Sequence, residues 1–250
     1  MKNIKLTDKE IATIRKKNKI KNANGQEGFI YFYHDGSKIV ALKLFTTTNP
    51  QTLDNKAKKI TLLHQKPLDD NILKPIKTVS NKDAIIGYTE ELVLPNETFE
   101  DVKLRSSKKQ KIEYLRQAKV LIEHLHSHEI IHGDVNSFNF IIANGVVKIC
   151  DLDNSSINGL PTDIQHYNLS HYLKKRTTLD YNSDIFCLNL LTIAVLKKIV
   201  DIYAINHIQD TFPLYKDIRQ IYQEMSDLDS NYSGEYLIDR INEKTKIKFI

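Results

Sequence analysis

The chain lacks tryptophan, and among its 250 residues it has only 2 cysteines, 2 methionines, 8 glycines and 6 prolines. Both cysteines, Cys150 and Cys187, lie in apolar surroundings. This pattern favours buried thiols of a reducing compartment over a disulfide or a cysteine-based metal site. No internal repeat or low-complexity segment is visible, and the composition, 41% hydrophobic and 27% charged, is that of an ordinary folded protein.

Long hydrophobic runs are also missing. The longest apolar stretch, Leu188 to Val200, is interrupted by polar residues such as Asn189 and Lys197, so it is too short and too polar to span a bilayer. The first residues, Met1-Lys-Asn-Ile-Lys5, are followed by more charge and do not resemble a secretory signal. We therefore expect a cytoplasmic protein with no membrane partner.

No dense block of basic and aromatic residues is present, although the net charge is +5. We therefore expect no nucleic-acid partner, while the positive excess could attract an anionic nucleotide or an acidic partner. A chain of this length can form one large domain or two small lobes that share a cleft.

Strand patterns dominate the first part of the chain. Thr7-Asp-Lys-Glu10 has the form of a capping box and predicts a short helix. Runs of Ile, Tyr, Phe and Val punctuated by glycine predict strands between Lys19 and Phe45. Helical spacing returns over Leu53 to Gln65, and Ala84 to Leu94 is a further strand candidate that ends at Pro95.

Helical patterns dominate the rest. An amphipathic stripe over Ile112 to Leu125 predicts a helix, and Asp184 to Val200, apolar nearly all round, predicts a buried one. Weaker helices are expected over Leu214 to Met225 and Glu235 to Asn242. Strands followed by helices predict two lobes, residues 1–92 and 93–250.

The residues with the clearest chemical pattern lie between these helices. Asp134 follows His132 by two positions, and Asn139 follows Asp134 by five. The apolar run Val146-Val-Lys-Ile-Cys150 then leads directly to Asp151. Transfer of a phosphoryl group from a nucleotide needs a carboxylate to take the acceptor hydroxyl's proton and oxygen ligands to hold magnesium.

This spacing resembles the protein-kinase catalytic loop H-R-D-x-x-x-x-N followed by D-F-G, with H-G-D and D-L-D in their place. The resemblance covers roughly Lys19 to Leu196 and implies a two-lobed α+β protein kinase-like fold, with a β-rich N-lobe and a helical C-lobe, that uses ATP and Mg²⁺. It implies that Asp134 is catalytic and that Asn139, which also contacts the nucleotide, and Asp151 bind the metal. His132 is expected to be structural.

Two N-terminal stretches extend the resemblance. Ala23-Asn-Gly25-Gln-Glu-Gly28-Phe-Ile30 is similar to the phosphate-covering loop G-x-G-x-x-G-x-V, and Val40-Ala41-Leu-Lys43 is similar to the V-A-I-K strand. Bare glycine backbone can approach phosphate oxygens closely. The implied nucleotide-binding residues are Ala23, Gly25, Gly28, Ile30, Ala41 and Lys43, and Lys43 is also counted as catalytic.

The segment Thr89-Glu90-Glu91-Leu92 lies where the family has its hinge strand. The resemblance implies that Thr89 is the gatekeeper and that the backbone of Glu90 and Leu92 binds adenine.

One departure concerns the partner of Lys43. Kinases of this family usually carry a glutamate on the following helix, but no glutamate occurs between Gly28 and Thr89, and alignment puts Lys59 at that position. Lys43 could instead pair with Asp151 or with phosphate directly, or the helix could be displaced. Asp153, in place of the D-F-G glycine, could add a carboxylate near the metal.

Two further positions refine the prediction. Gly133 replaces the arginine that receives an activation-segment phosphate, so activity should not depend on that phosphorylation. Asn182-Ser-Asp184-Ile resembles the protein-kinase helix whose aspartate binds the backbone of the catalytic loop.

The expected function is therefore that of a Ser/Thr protein kinase whose partner is a protein substrate. Two alternatives stay open. H-G-D and Asn136 favour a small-molecule kinase of the sugar or aminoglycoside type, whereas Lys59 favours a nucleotide-binding pseudokinase scaffold.

Overall fold

The computed structural model describes residues 1–17, 19–24, 28–94, 97–162, 179–198 and 235–241. The chain divides into two compact units, Met1–Leu94 with Asp151–Asp163, and Pro95–Cys150 with Ile164–Ile250. The first unit is built mainly of strands and the second mainly of helices, which confirms the predicted α+β class.

The strands of the described chain are β1 (Lys2–Lys5), β2 (Lys19–Asn24), β3 (Gly28–Asp35), β4 (Lys38–Phe45), β5 (Lys77–Asn81), β6 (Ala84–Glu90), β7 (Glu97–Thr98), β8 (Ile130–Ile131), β9 (Phe140–Ala143), β10 (Val146–Ile149) and β11 (Ser156–Ile157). The helices are α1 (Asp8–Lys17), α2 (Pro50–Gln65), α3 (Phe99–Arg105), α4 (Lys108–Ser127) and α5 (Tyr181–Lys197), with 3₁₀ turns at Leu152–Asn154 and Leu237–Arg240.

The first unit contains a six-stranded sheet of order β1-β5-β6-β4-β3-β2. Adjacent strands of this sheet are antiparallel, except that β1 and β5 run parallel to each other. Strand β1 was not predicted, because four residues that read Lys-Asn-Ile-Lys give little alternation and its partner β5 lies far along the chain.

The two faces of this sheet bury different clusters. Leu42 and Leu44 of β4 pack with Ile14 of α1, whereas Phe45 packs with Ile60 of α2. Because side chains alternate along a strand, Ala41, Lys43 and Phe45 share the face covered by α2. The alternation of β4 therefore directs Lys43 toward α2.

Local polar residues set where the helices begin. In the predicted capping box, the Thr7 backbone N–H donates to Glu10 Oε2 at 2.7 Å, and Glu10 N donates to Thr7 Oγ1 at 3.3 Å. Helix α2 starts at Pro50, three residues before the predicted Leu53, since Asn49 caps it by accepting from Thr52 N at 3.1 Å. Proline suits a first helical position because its missing N–H would have no partner there.

The second unit contains a three-stranded sheet of order β10-β9-β7 and the long helices α4 and α5. The stripe of α4 is buried as predicted, and α5 is buried on nearly all sides. No helix in the described part of the chain is long and apolar enough to cross a membrane.

The predicted helix Glu235–Asn242 is wrong over its described residues, which form only the 3₁₀ turn Leu237–Arg240. The Asn189 side chain of α5 donates to Glu235 O at 3.0 Å and accepts from Leu237 N at 2.8 Å, so it holds the backbone in an extended entry to that turn. The predicted helix at Leu214–Met225 lies outside the described residues.

The bounds of the two units differ from those of the expected lobes in two respects. Asp151–Asp163 belongs to the first unit, because its 3₁₀ turn Leu152–Asn154 packs on α2. The first unit's initial segment continues to Leu94, two residues past the expected division after residue 92.

The close packing of strands β4 and β6 requires glycine at position 87. An added Cβ at Gly87 would overlap the backbone carbonyl oxygen of Lys43, so β6 could not keep its register with β4. Gly87→Ala should lower the free energy of unfolding in urea by about 3 kcal/mol, the upper end for overpacking. The control Gly36→Ala, at φ +64° with open space around it, should lose only about 1 kcal/mol through backbone strain. Equal losses in the two variants would contradict this packing.

Candidate active site

The Lys43 side chain lies close to the backbone of the neighbouring strand β3 at Gly28. Gly28 of β3 pairs with Phe45 of β4, and a Cβ at Gly28 would lie 3.0 Å from Lys43 Cε and 3.0 Å from Leu44 O. The Lys43 side chain therefore uses the space that any other residue at position 28 would fill. Ile30 pairs directly with Lys43 and so lies on the same face of the sheet.

Two carboxylates of the first unit bind the buried Lys43 ammonium. Lys43 Nζ contacts Asp151 Oδ1, and it donates to Asp153 Oδ1 at 2.5 Å. The two acids differ in exposure: the Asp153 side chain is 0% exposed, and the Asp151 side chain is 31% exposed. Asp151 can therefore meet a ligand, whereas Asp153 is enclosed by protein.

Helix α2 contributes Lys56 to this cluster. Lys56 Nζ donates to Asp153 Oδ2 at 2.7 Å and to Asn154 Oδ1. Lys59 lies about one turn further along α2 and is also buried. The sequence pointed to Lys59 on this helix, whereas the contact with Asp153 is made by Lys56, three residues earlier on α2.

Mutual attraction favours the charged forms of Asp153 and Lys43. Burial by itself raises the pKa of Asp153, but Lys43 and Lys56 together hold that pKa well below its ordinary value. Burial likewise lowers the pKa of Lys43, but Asp151 and Asp153 raise it well above its usual range. The Tyr88 hydroxyl donates to Asp153 Oδ1 at 3.0 Å and adds a neutral partner.

The register of β4 and β6 corrects the gatekeeper assignment. Thr89 pairs with Leu42, whereas Tyr88 pairs with Lys43 and Glu90 pairs with Ala41. Directly opposed residues share a face, so the Thr89 side chain lies on the side away from Lys43. The prediction of Thr89 as the gatekeeper beside the lysine was wrong by one residue, and Glu90 and Tyr88 occupy that face.

Glu90 is an unusual group for this position. Its side chain is buried, and Oε2 has no hydrogen-bond partner among the described residues. Burial, opposed by Lys43 and reinforced by Asp151 and Asp153, raises the pKa of Glu90 to about 8. Burial therefore disfavours the charged form of this carboxyl. Leu92, the second expected hinge residue, is half-buried in the loop after β6.

In the second unit, Asp134 and Asn139 lie in one loop between β8 and β9. Asn139 Nδ2 donates to the Asp134 backbone oxygen at 2.8 Å and to Asp134 Oδ2 at 2.9 Å. The five-residue spacing thus closes a compact turn that fixes both side chains. Asn136 closes the same loop, since its Oδ1 accepts from Phe138 N at 2.8 Å.

Asp184 of α5 holds the start of this loop, as the resemblance implied. Its buried carboxylate accepts from His132 N at 2.7 Å and from Gly133 N at 2.8 Å. His132 Nε2 lies 3.0 Å from Cys150 O, and Asp134 N donates to His132 Nδ1 at 3.2 Å. Both ring nitrogens of His132 are therefore used by backbone groups, which fits its expected structural role.

The donor chemistry suits magnesium. No three acidic, histidine or cysteine side chains within the described ranges are grouped so as to hold a metal by themselves. Asp151 offers a partly exposed carboxylate, and Asn139, whose Nδ2 is used by Asp134, offers an amide oxygen. Magnesium prefers hard oxygen ligands and completes its shell with waters and substrate phosphates. Taken singly, each of the two predicted metal ligands offers an oxygen of the kind that magnesium prefers.

Two of the predicted nucleotide-binding residues lie wholly or partly outside the described part of the chain. Gly25 lies outside the described residues, as does the segment 163–178, and of Ala23 only the backbone is described, in β2.

The sequence analysis did not identify Lys56 as a residue of the site. The sequence feature that pointed to it was the pair of lysines three residues apart on the helix face that also carries Ile60 and Leu63.

Comparison with known proteins agrees with this geometry. The family model described as "Protein kinase domain" matches residues 21–245. A curated protein of Acanthamoeba polyphaga mimivirus, named "Putative serine/threonine-protein kinase", is 28% identical over 99 residues, which cover 39% of this chain and 16% of the viral protein.

A buried lysine on a central strand, an acid that follows a strand, and an aspartate–asparagine loop whose start is held by a helix aspartate are features that the kinase-like pattern of the sequence implied, each within its own unit. The family match covers most of the chain, and the chain belongs to the protein kinase domain family.

The raised pKa of Glu90 predicts a pH-dependent stability. Its pKa rises from 4.5 to about 8 on folding, so its contribution is fully present below pH 4.5 and is lost as pH rises toward 8. Over that range the free energy of unfolding should fall by up to about 1.4 kcal/mol per pH unit relative to Glu90→Gln. Urea unfolding of both proteins at pH 5, 6.5 and 8 checks this.

Glu113→Gln, the same change at an exposed position of α4, provides the control and should run parallel to the unmutated protein. If Glu90→Gln also ran parallel, the burial of an ionisable Glu90 would be contradicted.

Proposed function

We propose that this protein kinase transfers the γ-phosphoryl group of ATP, with Mg²⁺, to a serine or threonine hydroxyl of a protein. The observation that carries the proposal is the contrast between the two carboxylates on Lys43. Asp153 is fully enclosed, and Asp151 is 31% exposed. The enclosed Asp153 is suited to holding Lys43 in position, and the partly exposed Asp151 is suited to contacting a ligand.

Each proposed role follows from a side chain's chemistry. A lysine ammonium has three N–H donors, so Lys43 can keep both carboxylates and still donate to a phosphate oxygen. Bound Mg²⁺ would neutralise phosphate charge, with Asp151 and Asn139 as its protein ligands. Glycine at position 28 keeps the backbone near Lys43 free of a side chain, and Ile30 and Ala41 offer apolar contacts beside it.

Asp134 would orient the acceptor hydroxyl and take its proton. Its backbone oxygen and Oδ2 accept from Asn139, which fixes the carboxylate in the loop. Charge and position together account for the rate enhancement of such sites. The backbone of Glu90 and Leu92 would bind the adenine base.

Support for a protein acceptor comes from the family and from Asp184, whose contacts match the expected protein-kinase helix. Support for serine or threonine comes from the mimivirus protein's name.

The first test measures transfer. The chain is incubated with labelled ATP and Mg²⁺, and label is scored on the chain, on added proteins and on small hydroxyl compounds. Asp134→Asn should lower the rate by about 10²-fold or more, while ATP affinity changes little, because the residue acts on the acceptor. Asp83→Asn, an exposed turn aspartate, is the matched control and should keep the full rate.

Label on small hydroxyl compounds alone would replace the protein-kinase proposal with a small-molecule kinase. No transfer to any acceptor would leave a nucleotide-binding pseudokinase.

The second test addresses the metal. ATP should raise the melting temperature more with Mg²⁺ than with EDTA, since a ligand that binds the folded state stabilises it. Asp151→Ala should remove the magnesium-dependent part of this shift. A variant that keeps the whole shift would contradict the role of Asp151 as a metal ligand.

A further inference from the structure

The absence of a glutamate on α2 leaves open what holds Lys43 in place. Within the first unit, Asp153 meets the geometric demand, since its Oδ1 accepts from Lys43 Nζ at 2.5 Å. Its Oδ2 accepts from Lys56 Nζ of α2 at 2.7 Å. One carboxylate therefore joins the lysine of β4 to helix α2.

Asp151 is less suited to hold Lys43 permanently. Its side chain is 31% exposed, so a bound cation would compete with Lys43 for its oxygens. Asp153 is 0% exposed, and each of its oxygens already accepts from an ammonium group. A ligand that engages Asp151 would therefore leave the contact between Lys43 and Asp153 intact.

The charges of the cluster explain why the two departures from the family pattern occur together. An aspartate at position 153 without a second cation would be a buried carboxylate that competes with Asp151 for one lysine. Lys56 supplies that cation, and its Nζ also lies 5.1 Å from the centre of the Phe45 ring. A buried charge is tolerated when it is paired and hydrogen-bonded, as Asp153 is by Lys43, Lys56 and Tyr88.

We propose that Asp153 is the positioning residue for Lys43, in place of a helix glutamate, and that Lys56 anchors Asp153 to α2. The proposal rests on the proposed function, because it names the residue that orients the phosphate-binding lysine of that same site. Asp153 acts through Lys43 and contacts no ligand itself.

The test compares three variants of the full chain with the unmutated protein: Asp153→Asn, Lys56→Met, and the control Asp54→Asn. Asp54 pairs with Lys58 on the same helix at 2.6 Å, with both side chains 56% exposed. For each protein, kcat and KM for ATP, the affinity for MgADP by calorimetry, and the melting temperature are measured. All kinetics are run well below the lowest melting temperature.

Asp153→Asn should lower kcat/KM for ATP by at least about tenfold and weaken MgADP binding by at least about threefold, since Lys43 loses its permanent partner. Lys56→Met should lower the melting temperature and should lower kcat/KM for ATP by less than Asp153→Asn does, because Lys43 retains Asp153 although Asp153 loses its anchor on α2. Asp54→Asn should match the unmutated protein in every measurement.

Two outcomes would overturn the proposal. One is that Asp153→Asn keeps kcat/KM and MgADP affinity within about threefold of the unmutated protein. The other is that both cluster variants lose activity in proportion to their loss of stability, as for a purely structural ion pair. If the unmutated chain binds MgADP but transfers no phosphate, the proposed function fails. The effect of Asp153→Asn on MgADP affinity then tests the positioning role of Asp153 by itself. If the unmutated chain binds no nucleotide, the proposed function and the positioning role of Asp153 both fail.

Discussion

One buried carboxylate, shared by two lysines, is the constraint on which the first unit's site depends. Asp153 accepts from Lys43 of β4 and from Lys56 of α2, at 2.5 and 2.7 Å. Removing either lysine would leave a buried charge with one cation fewer, which is costly in a medium of low polarity. The sheet, helix α2 and the turn after Asp151 are therefore held in one arrangement by electrostatics as well as by the apolar contacts of Phe45, Ile60 and Tyr88.

The same cluster separates support from ligand contact. Asp153 is enclosed, so solvent and ions cannot displace its lysines, whereas Asp151 keeps part of its side chain exposed. In the second unit a similar principle operates with backbone groups. Asp184 is buried and satisfied by the N–H groups of His132 and Gly133, and the loop that it holds carries Asp134 and Asn139. Rigid, buried acids thus position the residues that are proposed to meet substrates.

The sequence predicts what is encoded locally. The Asp134–Asn139 turn closes within one loop, so spacing alone brings its two side chains together. Lys56 was missed because positions 56 and 59 lie about one turn apart on α2, and packing against β4 decides which reaches Asp153. The gatekeeper position was assigned to Thr89, whereas Glu90 lies on the face of Lys43, because a shift of one residue in a strand moves a side chain to the other face.

The coupling energy between Lys56 and Asp153 tests this account most directly, because it needs no substrate and isolates the shared carboxylate. The free energies of unfolding of the unmutated chain, Lys56→Met, Asp153→Asn and the double variant form a double-mutant cycle. Direct contact between buried charges predicts a coupling of about 2 kcal/mol or more, with the double variant more stable than the sum of the two losses implies. A coupling below about 0.5 kcal/mol, as for independent sites, would contradict it.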